Sequence, residues 1–166
     1  MVQKGKPVAK DRTLDLVLWR HAEAIDLELV GDDMLRTLTP RGEKQAHRMG
    51  AWLDRQLPSS TKVFSSPALR ADQTAQALER KYKTHPGLAP LAGIEDLLSV
   101  AHWTTGSGCV LVVGHQPTLG QTIARLLGAP AGEFSVKKGA VWWLRMRERE
   151  ATTEVTVLAA LSPELA

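Results

Sequence analysis

Four side chains that could bind and attack an anion stand at three separate places in the sequence. Arg20 and His21 directly follow a run of apolar residues, Arg70 lies soon after a second such run, and His115 ends a third. An imidazole nitrogen is a nucleophile or a base, and a guanidinium donates paired hydrogen bonds to an oxyanion. Polar residues that simply end a buried strand are the alternative interpretation of Arg20 and His21. The recurrence of the pattern at three strand ends favours one shared site.

The elements that must position these residues are predicted from the apolar pattern. Two of the apolar runs are continuously hydrophobic, which is typical of strands buried on both faces of a parallel sheet. The last two predicted strands are expected to pair antiparallel. The predicted strands are 14–20, 62–66, 109–115, 140–146 and 154–161. Helical spacing of apolar residues predicts helices at 40–57, 67–82, 94–103 and 117–127.

This order of elements predicts an α/β fold, namely a three-layer α/β/α sandwich with a mostly parallel central sheet and an antiparallel late strand. The length suits one domain, which we place at residues 14–166, after a flexible, lysine-rich tail at residues 1–13. Pro40, Pro67 and Pro117 each stand at a predicted first helical position. Two of those helices directly follow strands, so their N-terminal N–H groups should face the carboxyl edge of the sheet, where anions bind.

Four segments carry a resemblance to a known family. In chain order they read "LWRHAEA", "TLTPRGEKQA", "SSPALRADQTAQAL" and "VVGHQPTLG", and they span residues 14 to 127. Together they resemble the histidine phosphatase superfamily, and the short chain resembles its small SixA-type phosphohistidine phosphatases. The sequence departs from the family pattern at Ala22, where the family has glycine.

The resemblance implies a role for each of the four side chains. His21 would be the nucleophile and would form a phosphohistidine intermediate. Arg20 and Arg70 would clamp the phosphoryl oxygens and bind the substrate, and His115 would be the second imidazole, which stabilises charge on the phosphoryl group. Two guanidiniums and an imidazole supply the positive charge, so we expect neither a metal nor another cofactor.

Other candidate site residues are open to two interpretations. Ser66 is a candidate substrate-binding residue, but a helix N-cap is the more ordinary role for a serine there. Glu23 is a candidate for binding substrate or for orienting the nucleophile. Glu95 and Asp96 are the candidates for a general acid, and a solvated helix start is the alternative for both.

The function expected from the resemblance is dephosphorylation of phosphohistidine on a signalling protein, such as a histidine phosphotransfer domain. A phosphomonoesterase that acts on a small phosphorylated metabolite or nucleotide is one alternative. A phosphate-binding module without turnover is the other, and the presence of both His21 and His115 argues against it.

Composition limits the possible partners. The chain has 166 residues with 21 basic and 18 acidic side chains, a net charge of +3 that suits an anionic substrate. Lysine and arginine form no long stripe, so nucleic acid is not an expected partner. The lone Cys109 excludes an internal disulfide, and the sequence has neither a leader-like segment nor an apolar stretch of the ~20 residues that a membrane span needs. We therefore expect a cytoplasmic protein without a membrane partner.

Overall fold

The computed structural model describes residues 11–166, and a six-stranded sheet organises this part of the protein. The strands are β1 (Arg12–Arg20), β2 (Lys62–Ser65), β3 (Lys83–Thr84), β4 (Gly108–Gly114), β5 (Val141–Arg149) and β6 (Thr152–Leu161). Their order across the sheet is β3-β2-β4-β1-β5-β6. The first four are parallel, whereas β5 pairs antiparallel with both β1 and β6, which confirms the predicted sheet.

Within residues 11–166, five helices accompany the sheet. They are α1 (Leu27–Val30), α2 (Pro40–Gln56), α3 (Leu69–Gln76), α4 (Ile94–Val100) and α5 (Thr118–Leu126). Short 3-10 turns form at Asp33–Leu35, Pro86–Leu88 and Pro163–Leu165. No helix among residues 11–166 has the length and apolar character to cross a membrane.

Alternation along β1 divides the core into two layers. Leu16 and Leu18 belong to the apolar cluster that contains residues of α4 and α5. Val17 and Trp19 belong to the opposite cluster, which contains residues of α2 and α3. All four side chains are fully buried. The continuous apolar run of β1 is therefore explained by helices on both faces, as the sequence predicts.

Several predicted boundaries differ from the structure, and two of them concern the extent of β1 and α3. β1 begins at Arg12, so residues 12 and 13 belong to the sheet rather than to the predicted tail, and residues 1–10 lie outside the described part of the chain. The predicted helix 67–82 is shorter, since α3 ends at Gln76. The chain turns there because Glu79 has a positive φ of 58°, which no helix continues through.

Only one of the three prolines that were predicted to begin a helix does so. Pro40 begins α2, and Thr39 Oγ1 accepts a hydrogen bond from the Gly42 amide at 3.0 Å. The prediction is wrong for Pro67, because a turn intervenes and α3 begins two residues later, at Leu69. It is also wrong for Pro117, which occupies the position just before the first residue of α5.

Candidate active site

Three adjacent strands deliver polar residues to the same edge of the sheet. β1 ends at Arg20 and β4 ends at Gly114, and the His21 amide donates to the Gly114 carbonyl at 3.1 Å. β2 ends one residue before Ser66, whose amide donates to the Val113 carbonyl at 3.0 Å. These backbone bonds extend the parallel pairing by one residue, and they fix where the following side chains start.

His21 is held in one tautomer by the backbone. Its Nδ1 lies 2.8 Å from the carbonyl oxygen of Ala22. A carbonyl oxygen only accepts hydrogen bonds, so Nδ1 carries the ring proton. Nε2 therefore has a lone pair, and it accepts a long hydrogen bond of 3.4 Å from Nε of Arg70. This is the protonation state that a nitrogen nucleophile requires.

Arg70 lies between the two histidines. It stands in the first turn of α3 and is buried, with 4% of its surface exposed. Its Nη2 is 3.3 Å from Nδ1 of His115, and the ring centroids of His21 and His115 are 5.1 Å apart. The two imidazoles and this guanidinium thus form one contiguous cluster, as the sequence predicts.

Ser66 orients the second histidine. Because Nδ1 of His115 accepts from Arg70, its Nε2 carries the proton and donates to Ser66 Oγ at 2.7 Å. The same oxygen accepts a hydrogen bond from the Ala68 amide at 3.2 Å. The predicted N-cap role is wrong, since the N-cap of α3 is Ala68 and Ser66 stands two residues earlier. The two hydrogen-bond partners that the structure gives the Ser66 hydroxyl are the Ala68 amide of the turn and Nε2 of His115.

The site holds both imidazoles neutral. Burial lowers the pKa of His21 to about 3, and the neighbouring cations add to the effect. Burial likewise lowers the pKa of His115 to about 3, with a further contribution from Arg70. Removing a cation from water disfavours it unless an anion accompanies it. The cluster is therefore suited to a ligand that brings negative charge.

Arg20 has an unsatisfied donor at this site. Its Nη1 donates to the carbonyl of Val136 at 2.8 Å. Its Nε is the one buried side-chain nitrogen or oxygen atom within residues 11–166 that has no hydrogen-bond partner. Burial and the charge of Arg70 both lower the pKa of Arg20. An oxyanion between the two guanidiniums would satisfy this donor and relieve their repulsion.

Asp33, which no sequence pattern indicated, contacts the cluster directly. Nη1 of Arg70 donates to the Asp33 carbonyl at 2.6 Å, and Nη2 forms an ion pair with its carboxylate at 3.1 Å. The carboxylate also pairs with Arg36 at 3.0 Å. Residues 26–36 have no sustained periodicity, so no predicted element led to Asp33. The only available signal was an acidic pair, Asp32 and Asp33, between the first histidine and α2.

Comparison with known proteins identifies the family. The model of the histidine phosphatase superfamily (branch 1) matches residues 16–92. Phosphohistidine phosphatase SixA of Escherichia coli (strain K12) is 30% identical over 122 residues, which cover 68% of this chain and 74% of that protein. The chain belongs to the histidine phosphatase superfamily. Its similarity to SixA assigns this histidine phosphatase to the SixA-type branch. The family and the SixA relatives indicate that it is a hydrolase that acts on phosphoryl groups.

Solved structures share the architecture of this histidine phosphatase. The protein histidine phosphatase SixA complexed with tungstate has a TM-score of 0.71 at 25% identity, over 90% of this chain and 97% of that one. A protein from Agrobacterium tumefaciens has a TM-score of 0.72 at 24% identity, over 90% and 97% of the two chains, and supports the fold.

The structure does not bring three predicted carboxylates into the cluster. Glu23 accepts a hydrogen bond from Thr39 Oγ1 at 2.7 Å and lines a cavity of about 300 Å³ next to the N-terminus of α2. Glu95 forms an ion pair with Arg125 on the surface. Asp96 accepts a hydrogen bond from the Gly93 amide at 2.9 Å and so caps α4. None of the three forms a hydrogen bond or an ion pair with the histidines or arginines of the cluster, among the described residues.

Two further features concern the residue that follows His21 and the groups that could hold a metal ion. Ala22, where the family pattern has glycine, is fully buried and packs with Leu38 and Ala46. Its amide donates to Thr74 Oγ1 at 3.1 Å, which ties the residue after His21 to α3. Within residues 11–166, no group of three histidine, cysteine, aspartate or glutamate side chains is placed to hold a metal ion.

Proposed function

We propose that this histidine phosphatase hydrolyses phosphohistidine in proteins, through a phosphorylated intermediate on His21. The observation that carries the proposal is the neutral, buried imidazole of His21, whose Nε2 lone pair lies 3.4 Å from the guanidinium of Arg70. A nucleophile and the cation that would bind the phosphoryl oxygens are therefore adjacent. Phosphoryl transfer depends mainly on such positioning and charge.

The first step transfers the phosphoryl group to the enzyme. Nε2 of His21 attacks phosphorus, and the bond between phosphorus and the substrate imidazole breaks. When the other ring nitrogen of the substrate is protonated, the leaving group departs as neutral imidazole and needs no proton from the enzyme. This chemistry agrees with the positions of Glu95 and Asp96, whose carboxylates are engaged elsewhere. An alkoxide leaving group would instead require a general acid.

The second step regenerates the enzyme. Water attacks the phosphorus on His21, the bond to Nε2 breaks, and the protons of the water leave with inorganic phosphate. Nδ1 keeps its proton throughout, because its hydrogen bond to the Ala22 carbonyl is independent of Nε2. His21 therefore returns to the neutral tautomer that begins the next cycle.

Charge on the transferred group is stabilised by the arginines and the second histidine. Arg20 offers its unpaired Nε, and Arg70 offers its Nη groups. His115 is the remaining candidate: its Nδ1 accepts from Arg70 and carries no proton, so it can polarise a phosphoryl oxygen only through its Nε2–H, which must then leave Ser66 Oγ for that oxygen. Fixed donors in a site sheltered from water stabilise developing charge more strongly than donors in water.

Two observations support a protein rather than a small ester as substrate. Large apolar side chains are exposed on the segment that follows His21, including Leu29 at 78% and Leu35 at 57%. Exposed apolar side chains on a segment that reaches the charged site are suited to contact with a protein surface. The Escherichia coli relative is a phosphohistidine phosphatase, and a protein histidine phosphatase SixA was solved with tungstate, which is a tetrahedral oxyanion like phosphate.

A comparison of substrates tests the proposal. A histidine phosphotransfer domain would be phosphorylated chemically with phosphoramidate, and its dephosphorylation rate would be compared with the turnover of sugar phosphates, nucleotides and p-nitrophenyl phosphate. We expect the highest kcat/KM on the phosphoprotein and loss of that activity in His21→Ala. Faster turnover of a small phosphate ester would instead identify a phosphomonoesterase.

A further inference from the structure

Asp33 occupies the part of Arg70 that a phosphoryl group would need. We infer that Asp33 is an internal competitor of the substrate: its carboxylate must leave Arg70 before a phosphoryl group binds, and residues 26–36, the latch segment, move with it. This inference rests on the proposed function, since it assigns Arg70 to phosphoryl binding. It adds a residue that sets affinity and access at that site.

The hydrogen bonds of Arg70 leave little capacity for a ligand. A guanidinium has five N–H donors. One, on Nε, goes to His21, and the two on Nη2 go to His115 and the Asp33 carboxylate. A fourth, on Nη1, goes to the Asp33 carbonyl at 2.6 Å. A phosphoryl group that takes two parallel bonds from the Nη1 and Nη2 atoms of Arg70 must therefore replace Asp33.

The Asp33 carboxylate and a phosphoryl group cannot both bind the same side of Arg70, because both are negatively charged. Arg70 and Arg36 hold the pKa of the Asp33 carboxyl below its ordinary value, against the opposing effect of burial, so the group is an anion at neutral pH. A dianionic phosphoryl group would stand in the same place with the same sign of charge. Like charges at hydrogen-bonding distance repel strongly in a partly buried site. The carboxylate thus resembles the substrate in charge and in its contacts with Arg70.

Few contacts hold the latch segment in place, so its displacement costs little free energy. Neither α1 nor the 3-10 turn at Asp33–Leu35 contributes a buried side chain to the core. The Asp33 side chain is 40% exposed. Arg36 ties the segment back through a hydrogen bond to the Ile25 carbonyl at 2.7 Å. Segments with few buried contacts open at low cost in free energy.

A role for Asp33 in supporting Arg70 would predict the opposite effect on anion binding. If Asp33 instead positioned Arg70 in the orientation that binds substrate, removal of its charge would weaken the binding of an oxyanion. If it is a competitor, removal of the charge strengthens binding, because the fraction of molecules with a free Arg70 rises. Asp33→Asn separates the two roles, since asparagine keeps the shape and removes the charge.

The test measures the dissociation constants of inorganic phosphate and vanadate by calorimetry, and KM for the phosphoprotein. For Asp33→Asn we expect both anions to bind about fivefold to tenfold more tightly, with a matching fall in KM. Asp32→Asn is the matched control, because it removes the same charge one residue away, where the side chain caps the Met34 amide. Its binding should stay within about twofold of the wild type.

The outcomes separate this inference from the proposed function. Equal or weaker binding in Asp33→Asn than in Asp32→Asn would overturn the inference and leave the phosphatase proposal standing. If the wild-type protein bound neither anion, both would be overturned.

A second measurement uses the wild type and so does not depend on a folded variant. Vanadate should accelerate hydrogen exchange at the amides of Met34 and Arg36, which are bonded within the latch segment. Unchanged or slower exchange at both amides, with vanadate bound, would contradict the opening of this segment.

Discussion

Nδ1 of His21 lies 2.8 Å from the carbonyl oxygen of Ala22, and this contact decides which nitrogen of His21 can act. Nδ1 must donate, so the lone pair belongs to Nε2. Nε2 in turn accepts from Arg70 at 3.4 Å. The reactive nitrogen, and not only the reactive residue, is therefore set by the backbone that follows β1.

The first prediction is that the intermediate carries phosphorus on Nε2 of His21. The Nδ1 position is blocked by the Ala22 carbonyl, so attack through it would require the ring to break a buried hydrogen bond. Phosphorus NMR of the trapped intermediate, compared with standards phosphorylated at each ring nitrogen, distinguishes the two isomers. A spectrum that matches the Nδ1 isomer would show the tautomer assignment to be wrong.

The second prediction concerns the geometry of Arg70. Arg70→Lys keeps the charge but loses the planar fork that contacts both histidines and Asp33. We expect vanadate affinity to fall about tenfold to a hundredfold, which corresponds to about 1.5–3 kcal/mol for a charge-assisted contact. Arg48→Lys, on the exposed face of α2, is the matched control. Similar affinities in the two variants would argue against a guanidinium clamp.

The third prediction assigns Ser66 to the positioning of His115. Ser66→Ala leaves the buried Nε2–H of His115 without an acceptor, which should cost about 1–3 kcal/mol in the free energy of unfolding. We expect kcat to fall by about tenfold with little change in KM, because misplacement of a catalytic group affects turnover more than binding.

The control for Ser66 is the neighbouring hydroxyl. Ser65 is equally buried, but its hydroxyl donates to the Ser66 carbonyl and forms no hydrogen bond with His21 or His115. Ser65→Ala should lower stability while kcat stays close to that of the wild type. A parallel loss of kcat in both variants would mean that the effect of Ser66→Ala is structural only.

Much of this site was predictable because its residues follow strong patterns. The apolar runs that form β1 and β4 mark where parallel strands end, and the carboxyl ends of adjacent parallel strands meet at one edge of the sheet. Arg20, His21 and His115 were therefore placed together by the element order alone. Arg70 followed from its position just after β2.

The remaining parts had no such pattern. Asp33 lies in a segment whose 3-10 turn and four-residue α1 are too short to give a periodic signal. β3 has two residues, so alternation along it cannot be recognised. α3 ends early although apolar residues continue at helical spacing, because the positive φ of Glu79 redirects the chain. In these places tertiary contacts, rather than local sequence, determine the structure.

The fourth prediction is a pH dependence of stability that comes from the buried histidines. The pKa of His115 is about 3 in the folded protein and lies near its ordinary value of 6.5 when unfolded. Between these values the unfolded chain binds a proton that the folded protein does not, so stability is lost as pH falls from 6.5 towards 3. The slope is about 1.4 kcal/mol per pH unit for one such group.

Denaturant unfolding of matched variants isolates this effect. His115→Gln should lose stability less steeply than the wild type as the pH falls, so the two unfolding free energies should converge in acid. His47→Gln, which replaces an exposed histidine of α2, is the control. A constant difference between wild type and His115→Gln from pH 7 to pH 4 would contradict a neutral buried imidazole.

The most direct test of His21 as the nucleophile is to trap the phosphoryl group on the enzyme. The protein would be mixed with a radiolabelled phosphohistidine protein, quenched in alkali, digested and analysed by mass spectrometry. We expect an acid-labile, alkali-stable label on the peptide that contains His21, and no label in His21→Ala. A label that persists in His21→Ala, or full turnover by that variant, would contradict the assignment of His21 as the nucleophile.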